Sequence, residues 1–79
     1  MRIKEWQDAN PDYVAKIDVT PIREIIFSVK NSKDEAERVI PMNDIPFNQD
    51  ELIVEDYICL IFENLKHQLE VNDAHEKRD

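Results

Sequence analysis

Not one of the 79 residues is glycine. A chain without glycine has no residue that enters left-handed backbone geometry freely. Each tight turn must place Asn or Asp there or give way to a longer loop. Punctuation falls to the prolines at 11, 21, 41 and 46 and to short clusters of Asn, Asp and Ser. Whole classes of chemistry become harder as well. Phosphate loops and dinucleotide turns are built on glycine, and oxyanion holes exploit the backbone turns that it makes easy.

Between these breaks the apolar pattern defines the elements. Arg2 to Ala9 reads as a short helix with Ile3 and Trp6 on one side, closed by Pro11. Tyr13 to Val19 alternates, with Tyr13, Ala15, Ile17 and Val19 on one face, the period of a strand with one face in the core. Thr20-Pro21 breaks it, and Glu24 to Lys30 forms a second, more apolar strand. Asn31 to Glu35 is a hairpin loop. Glu37 to Met42 returns as a third strand, at an edge because Pro41 cannot donate to a ladder. The competing reading makes Ser32 an N-cap with Glu35 and gives a short helix to Ile40.

After a loop at residues 43–47, Asn48 and Glu51 have the spacing of a capping box, which starts a helix running to about Asn72. Val54, Tyr57, Ile58, Ile61, Phe62, Leu65 and Leu69 make its core stripe. The expected fold is α+β: a short N-terminal helix, a two- to three-stranded antiparallel sheet, and a long C-terminal helix packed on one face. Val14, Ile26 and the cover of Trp6 fall to the other face. Residues 1–72 read as a single domain, and 73–79 as a frayed polar tail.

A chain this short removes only about 60–65% of its unfolded surface on folding, so the core is thin. With 42% hydrophobic and 35% charged residues it is still too apolar for a disordered chain. Cys59 is the one cysteine and lies in an apolar run, so no internal disulfide forms and no spacing suits structural zinc. The opening residues lack the apolar stretch of a signal peptide, and Tyr57 to Phe62 is far too short for a membrane span. A reducing, cytoplasmic setting is the expectation.

The formal charge is −8. Residues 1–43 carry eight acids and seven bases, net −1, and residues 44–79 carry ten acids and three bases, net −7. Such a field repels nucleic acid and anionic lipid and attracts basic surfaces, so direct nucleic-acid or membrane binding is not expected. Asp44, Asp50, Glu51, Glu55, Asp56 and Glu63 form a stretch with no base. It serves either as a solvated face that keeps the protein soluble or as a docking surface for a basic partner.

Leu52, Ile53, Cys59 and Leu60 lie off the core stripe of the long helix. Either the N-terminal helix and the Pro46-Phe47 loop cover them, or they form a homodimer or target-binding face. The candidate protein-binding residues are therefore Asp50, Glu51, Ile53, Glu55, Asp56, Leu60 and Glu63. Trp6 and Tyr13 read as an aromatic lid over a sheet edge or as partner anchors. His67 with Glu63 or Glu70, and His75 further on, have poor spacing for a metal site. Ser28, Ser32 and Cys59 have no histidine near them in sequence. No catalytic residue, cofactor or metal is expected.

Ile3-Lys4-Glu5-Trp6, then Asn10-Pro11-Asp12-Tyr13 leading into Val14-Ala15-Lys16-Ile17, resembles the start of many small phage and prophage proteins. There a short helix ends at an Asn/Asp/Pro turn and feeds a first strand. Length, element order and negative charge are also similar to those of compact acidic anti-CRISPR inhibitors. The two likenesses imply a phage-derived accessory protein that binds a host or phage protein without catalysis. One alternative is an acidic nucleic-acid mimic that blocks a DNA- or RNA-binding enzyme, and another is a virion or tail-assembly component.

Overall fold

The computed structural model describes residues 2–76, with side chains through residue 72. In chain order come helix α1 (Ile3–Ala9), strands β1 (Val14–Val19), β2 (Glu24–Lys30) and β3 (Glu35–Pro41), a single 3-10 turn (Met42–Asp44), and helix α2 (Glu51–Glu76). The sheet is antiparallel in the order β1-β2-β3, and α2 packs on β2 and β3. The architecture is α+β, as the pattern implies. Residues 36–40 are strand, so the helical reading from Ser32 falls. β3 is an edge, consistent with Pro41 at its end. Helix α2 runs to Glu76, past its expected end at Asn72, so the backbone of 73–76 is helical where a frayed tail was expected. Residues 77–79 and the side chains of 73–76 lie outside the described residues.

The two hairpins show how a chain without glycine turns. At the β2–β3 end, the Asn31 side chain accepts the backbone N–H groups of Lys33 and Asp34, both at 2.8 Å. This Asx turn closes the loop at ordinary backbone angles. The β1–β2 turn departs from expectation. Arg23 N–H donates to Thr20 C=O at 3.3 Å and Thr20 N–H to Glu24 C=O at 2.8 Å. Pro21 sits at the position a type I turn favours, and Arg23, at φ 60°, takes the left-handed step that usually goes to glycine. Among the described residues it is the one positive φ, and it falls on neither Asn nor Asp.

The core lies between α2 and one sheet face. Ile25, Phe27 and Val29 of β2 meet Ile58, Ile61, Phe62, Leu65 and Leu69 of α2, with Ala36 and Ile45 alongside. Phe62 is its centre: its ring stands edge-on to Phe27 at 6.2 Å and tilted against Trp6 at 5.4 Å. Such pairs add about 0.5–1.5 kcal/mol each beyond their buried area. Trp6 is fully buried on the helix side of the sheet, so it is neither a lid nor a surface anchor, and it does not cover the opposite face.

β1 is the second departure. Ala15, Ile17 and Val19 face the helix layer through their register with Val29, Phe27 and Ile25. Yet Ile17 is 40% and Val19 64% exposed. A helix is about 10 Å across and strands lie about 4.8 Å apart, so one helix covers two strands. The alternation that marked β1 as a strand does not say whether anything lies over its apolar face.

Candidate functional site

The acidic segment belongs to α2, and its start sets which acids are available. The helix is capped by Asp50, not Asn48. The Asp50 carboxylate accepts Leu52 N–H at 3.3 Å and its carbonyl accepts Ile53 and Val54 N–H at 2.9 and 3.1 Å. Pro46 to Gln49 form a separate turn closed by Gln49 N–H to Pro46 C=O at 3.0 Å. Asn48 therefore sits two residues too early to cap.

Further along, α1 runs beside α2 in the same direction, and their polar contacts climb both chains together. Glu55 accepts Arg2 Nη1 at 3.4 Å and Ile3 N–H at 3.4 Å, and Glu63 accepts the Trp6 indole N–H at 2.8 Å. Lys66 donates to Asn10 at 2.6 Å, and Tyr13 O–H meets Glu70 at 3.5 Å. Lys66 also lies over the Tyr13 ring, 5.6 Å from its centre. Asn10 closes α1 by donating to Trp6 C=O at 2.8 Å. Glu55 and Glu63, two candidate docking residues, thus hold α1 in place. Cys59 is buried, and desolvation there, followed by the charge of Glu55, Glu5 and Glu63, pushes its thiol pKa up.

The remaining candidates point outward. Asp50, Glu51 and Asp56 are exposed, Ile53 is 51% exposed and Leu60 60%. Of the four apolar residues off the core stripe, only Cys59 is covered. Ile53 and Leu60 are seven residues apart, which places them on one line along α2, and Val71, also exposed, continues it. Tyr57 is half-buried beside this line and His67 exposed along it. Sequence reasoning grouped the acids by proximity along the chain. It missed that Arg2, Trp6 and Asn10 recur every four residues, the spacing that lets one helix and its caps meet a second helix, with Tyr13 following after the turn.

No family model, curated protein or solved structure matches this chain.

The opposite sheet face is mostly charged. Lys16 and Asp18 of β1, Lys30 of β2, and Glu35 and Glu37 of β3 line it with Val14, Ile26 and Val39. Glu35 favours a protonated Glu37 that can hydrogen-bond to it, and its like charge adds to this, so the Glu37 carboxyl pKa is raised. Among the described residues no group of three His, Cys, Asp or Glu side chains is placed to hold a metal, and no helix is long and apolar enough to cross a membrane.

Proposed function

We propose that this chain is a non-catalytic protein-binding module whose working surface is the outward line of α2, Ile53, Leu60 and Val71, bordered by Asp56. The observation that carries the reading is the exposure of Ile53 and Leu60 on a face that neither the sheet nor α1 covers. Exposed apolar residues in register along a helix are the usual anchors for an amphipathic partner helix. The acids beside them favour a partner with basic flanks. A phage or prophage accessory protein acting on a host or phage protein would use such a surface.

A nucleic-acid mimic is less well supported, because Glu55 and Glu63 bond to α1 rather than face a partner. The test compares the wild type with Leu60→Glu in affinity capture from bacterial lysate, with and without competing DNA. The expected result is a partner captured by the wild type, lost with Leu60→Glu and indifferent to DNA, while circular dichroism and melting stay unchanged. Equal capture by both proteins would end this reading, and a partner displaced by DNA would favour the mimic. An unfolded variant would place Leu60 in the core, and Ile53→Glu then serves as the second probe.

A further inference from the structure

The outer edge of β1 carries a pattern that the binding face of α2 does not explain. Thr20 N–H bonds Glu24 C=O. Alternate residues of an antiparallel strand turn their backbone groups to the same side, so Lys16 and Asp18 turn toward β2 while Ala15, Ile17 and Val19 turn outward. The first of these outward positions is already closed. The Gln7 carboxamide of α1 accepts Ala15 N–H at 3.0 Å and donates to Tyr13 C=O, standing in for one residue of a neighbouring strand. Beyond it, among the described residues, β1 pairs with β2 alone. The N–H and C=O of Ile17, the N–H of Val19 and the C=O of Ala15 form an unpaired edge beside two exposed apolar side chains. Such an edge is a template for another strand.

The charges around it are self-complementary. Lys16 and Asp18 flank Ile17 symmetrically on the open sheet face, both well exposed, with 3.7 Å between Lys16 Nζ and an Asp18 carboxylate oxygen. We propose that β1 pairs antiparallel with β1 of a second copy, with the two-fold axis at Ile17, to give a continuous sheet in the order β3-β2-β1-β1-β2-β3. Ile17 exchanges both backbone bonds with its counterpart, and Val19 N–H of each copy reaches Ala15 C=O of the other. Val19 C=O of each copy in turn takes Ala15 N–H of the other, which displaces the Gln7 carboxamide from that N–H. In this register Lys16 of each copy lies directly opposite Asp18 of the other, in the closer, non-hydrogen-bonded kind of pair. Moving the axis one residue either way sets Lys16 against Lys16 or Asp18 against Asp18. The charges therefore select one register from those that keep Ile17 and Val19 on the helix side.

The axis stands normal to the sheet, so both helix layers share one face and the Ile17 and Val19 side chains of the two copies meet between them. Because α2 lies over β2 and β3, its acids stay away from the joint, and the outward face of α2 remains free for a partner. The pairing is independent of the proposed binding function and survives if that function fails.

Sedimentation equilibrium on the full chain tests it. The wild type should approach twice the 9.4 kDa monomer mass as concentration rises toward about 1 mM, the weak limit for a specific association. Lys16→Asp and Asp18→Lys, each alone, place like charges opposite one another and should each weaken dimerisation by about tenfold or more. An equimolar mixture of the two should associate again, because each Asp then faces a Lys, although both variants remain net acidic. Circular dichroism confirms that each variant is folded, and Val19→Lys supplies a second disruption if either is not. A wild type that stays at monomer mass overturns the proposal and leaves the edge to a strand of another protein. So does a mixture that stays monomeric when its components are folded.

Discussion

Arg23 occupies a backbone geometry in which a Cβ crowds the following carbonyl, a conformation that costs an ordinary L-residue about 1–2 kcal/mol. It persists because both sides of the turn are tied down. Thr20 bonds Glu24 and Arg23 across the hairpin, and the Arg23 carbonyl accepts Met42 N–H at 2.9 Å from the next connection. Glycine would relieve the crowding and give back part of the gain through a more flexible unfolded chain. Arg23→Gly should therefore raise the unfolding free energy by about 0.5–1 kcal/mol, measured by urea titration. A loss of stability would mean that the arginine side chain contributes more to this turn than its exposure suggests. The sequence offered Asn31 and its neighbours as turn residues, and there the expectation held. At Thr20-Pro21-Ile22-Arg23 nothing local marks the arginine. The demand for a left-handed step comes from strand pairing on both sides, which propensity cannot report.

Elements were legible to within a residue or two wherever one dominant period ran between breaks: α1, β1, β2 and the body of α2. The start of α2 was misplaced because Asn48 and Asp50 are both good caps, and only the turn closed onto Pro46 decides between them. Asp50→Ala should cost about 1 kcal/mol of stability, and Asn48→Ala little. Equal effects in thermal melts of the two variants would contradict that assignment. The candidate site was legible in part for a related reason. Off-stripe positions can be counted from helical period alone, which marked Ile53 and Leu60 as well as Cys59. Which of them α1 would cover depends on how two helices pack, and that information is spread over Arg2, Trp6 and Asn10 at one end of the chain and Glu55, Glu63 and Lys66 at the other.

At the scale of the whole molecule, the extents are 45 × 28 × 15 Å, so there are two layers and one plane of core between them. One long helix spans two strands, and the third strand projects past its shadow. The exposed edge of β1 follows from that geometry together with the short α1, which reaches only the Tyr13–Ala15 corner through Gln7. The charge asymmetry follows the same division. Strands with nearly balanced charge form the sheet, and the acid surplus rides on α2, partly consumed in holding α1. No sequence statistic distinguishes an acid consumed in this way from one offered to a partner.

The position of Trp6 has an optical consequence. It is the single tryptophan of the chain, sealed against Phe62 with its indole N–H on the Glu63 carboxylate, so its emission reports the docking of α1 and little else. Far-UV ellipticity, by contrast, is dominated by α2. If the molecule unfolds as one cooperative unit, the two signals superimpose through a thermal melt. Glu63→Gln, which weakens a charge-assisted bond of about 1.5–3 kcal/mol, should shift the emission transition to lower temperature ahead of the ellipticity. The separation between the two curves would then measure how far the first helix can lift from a body that is otherwise intact.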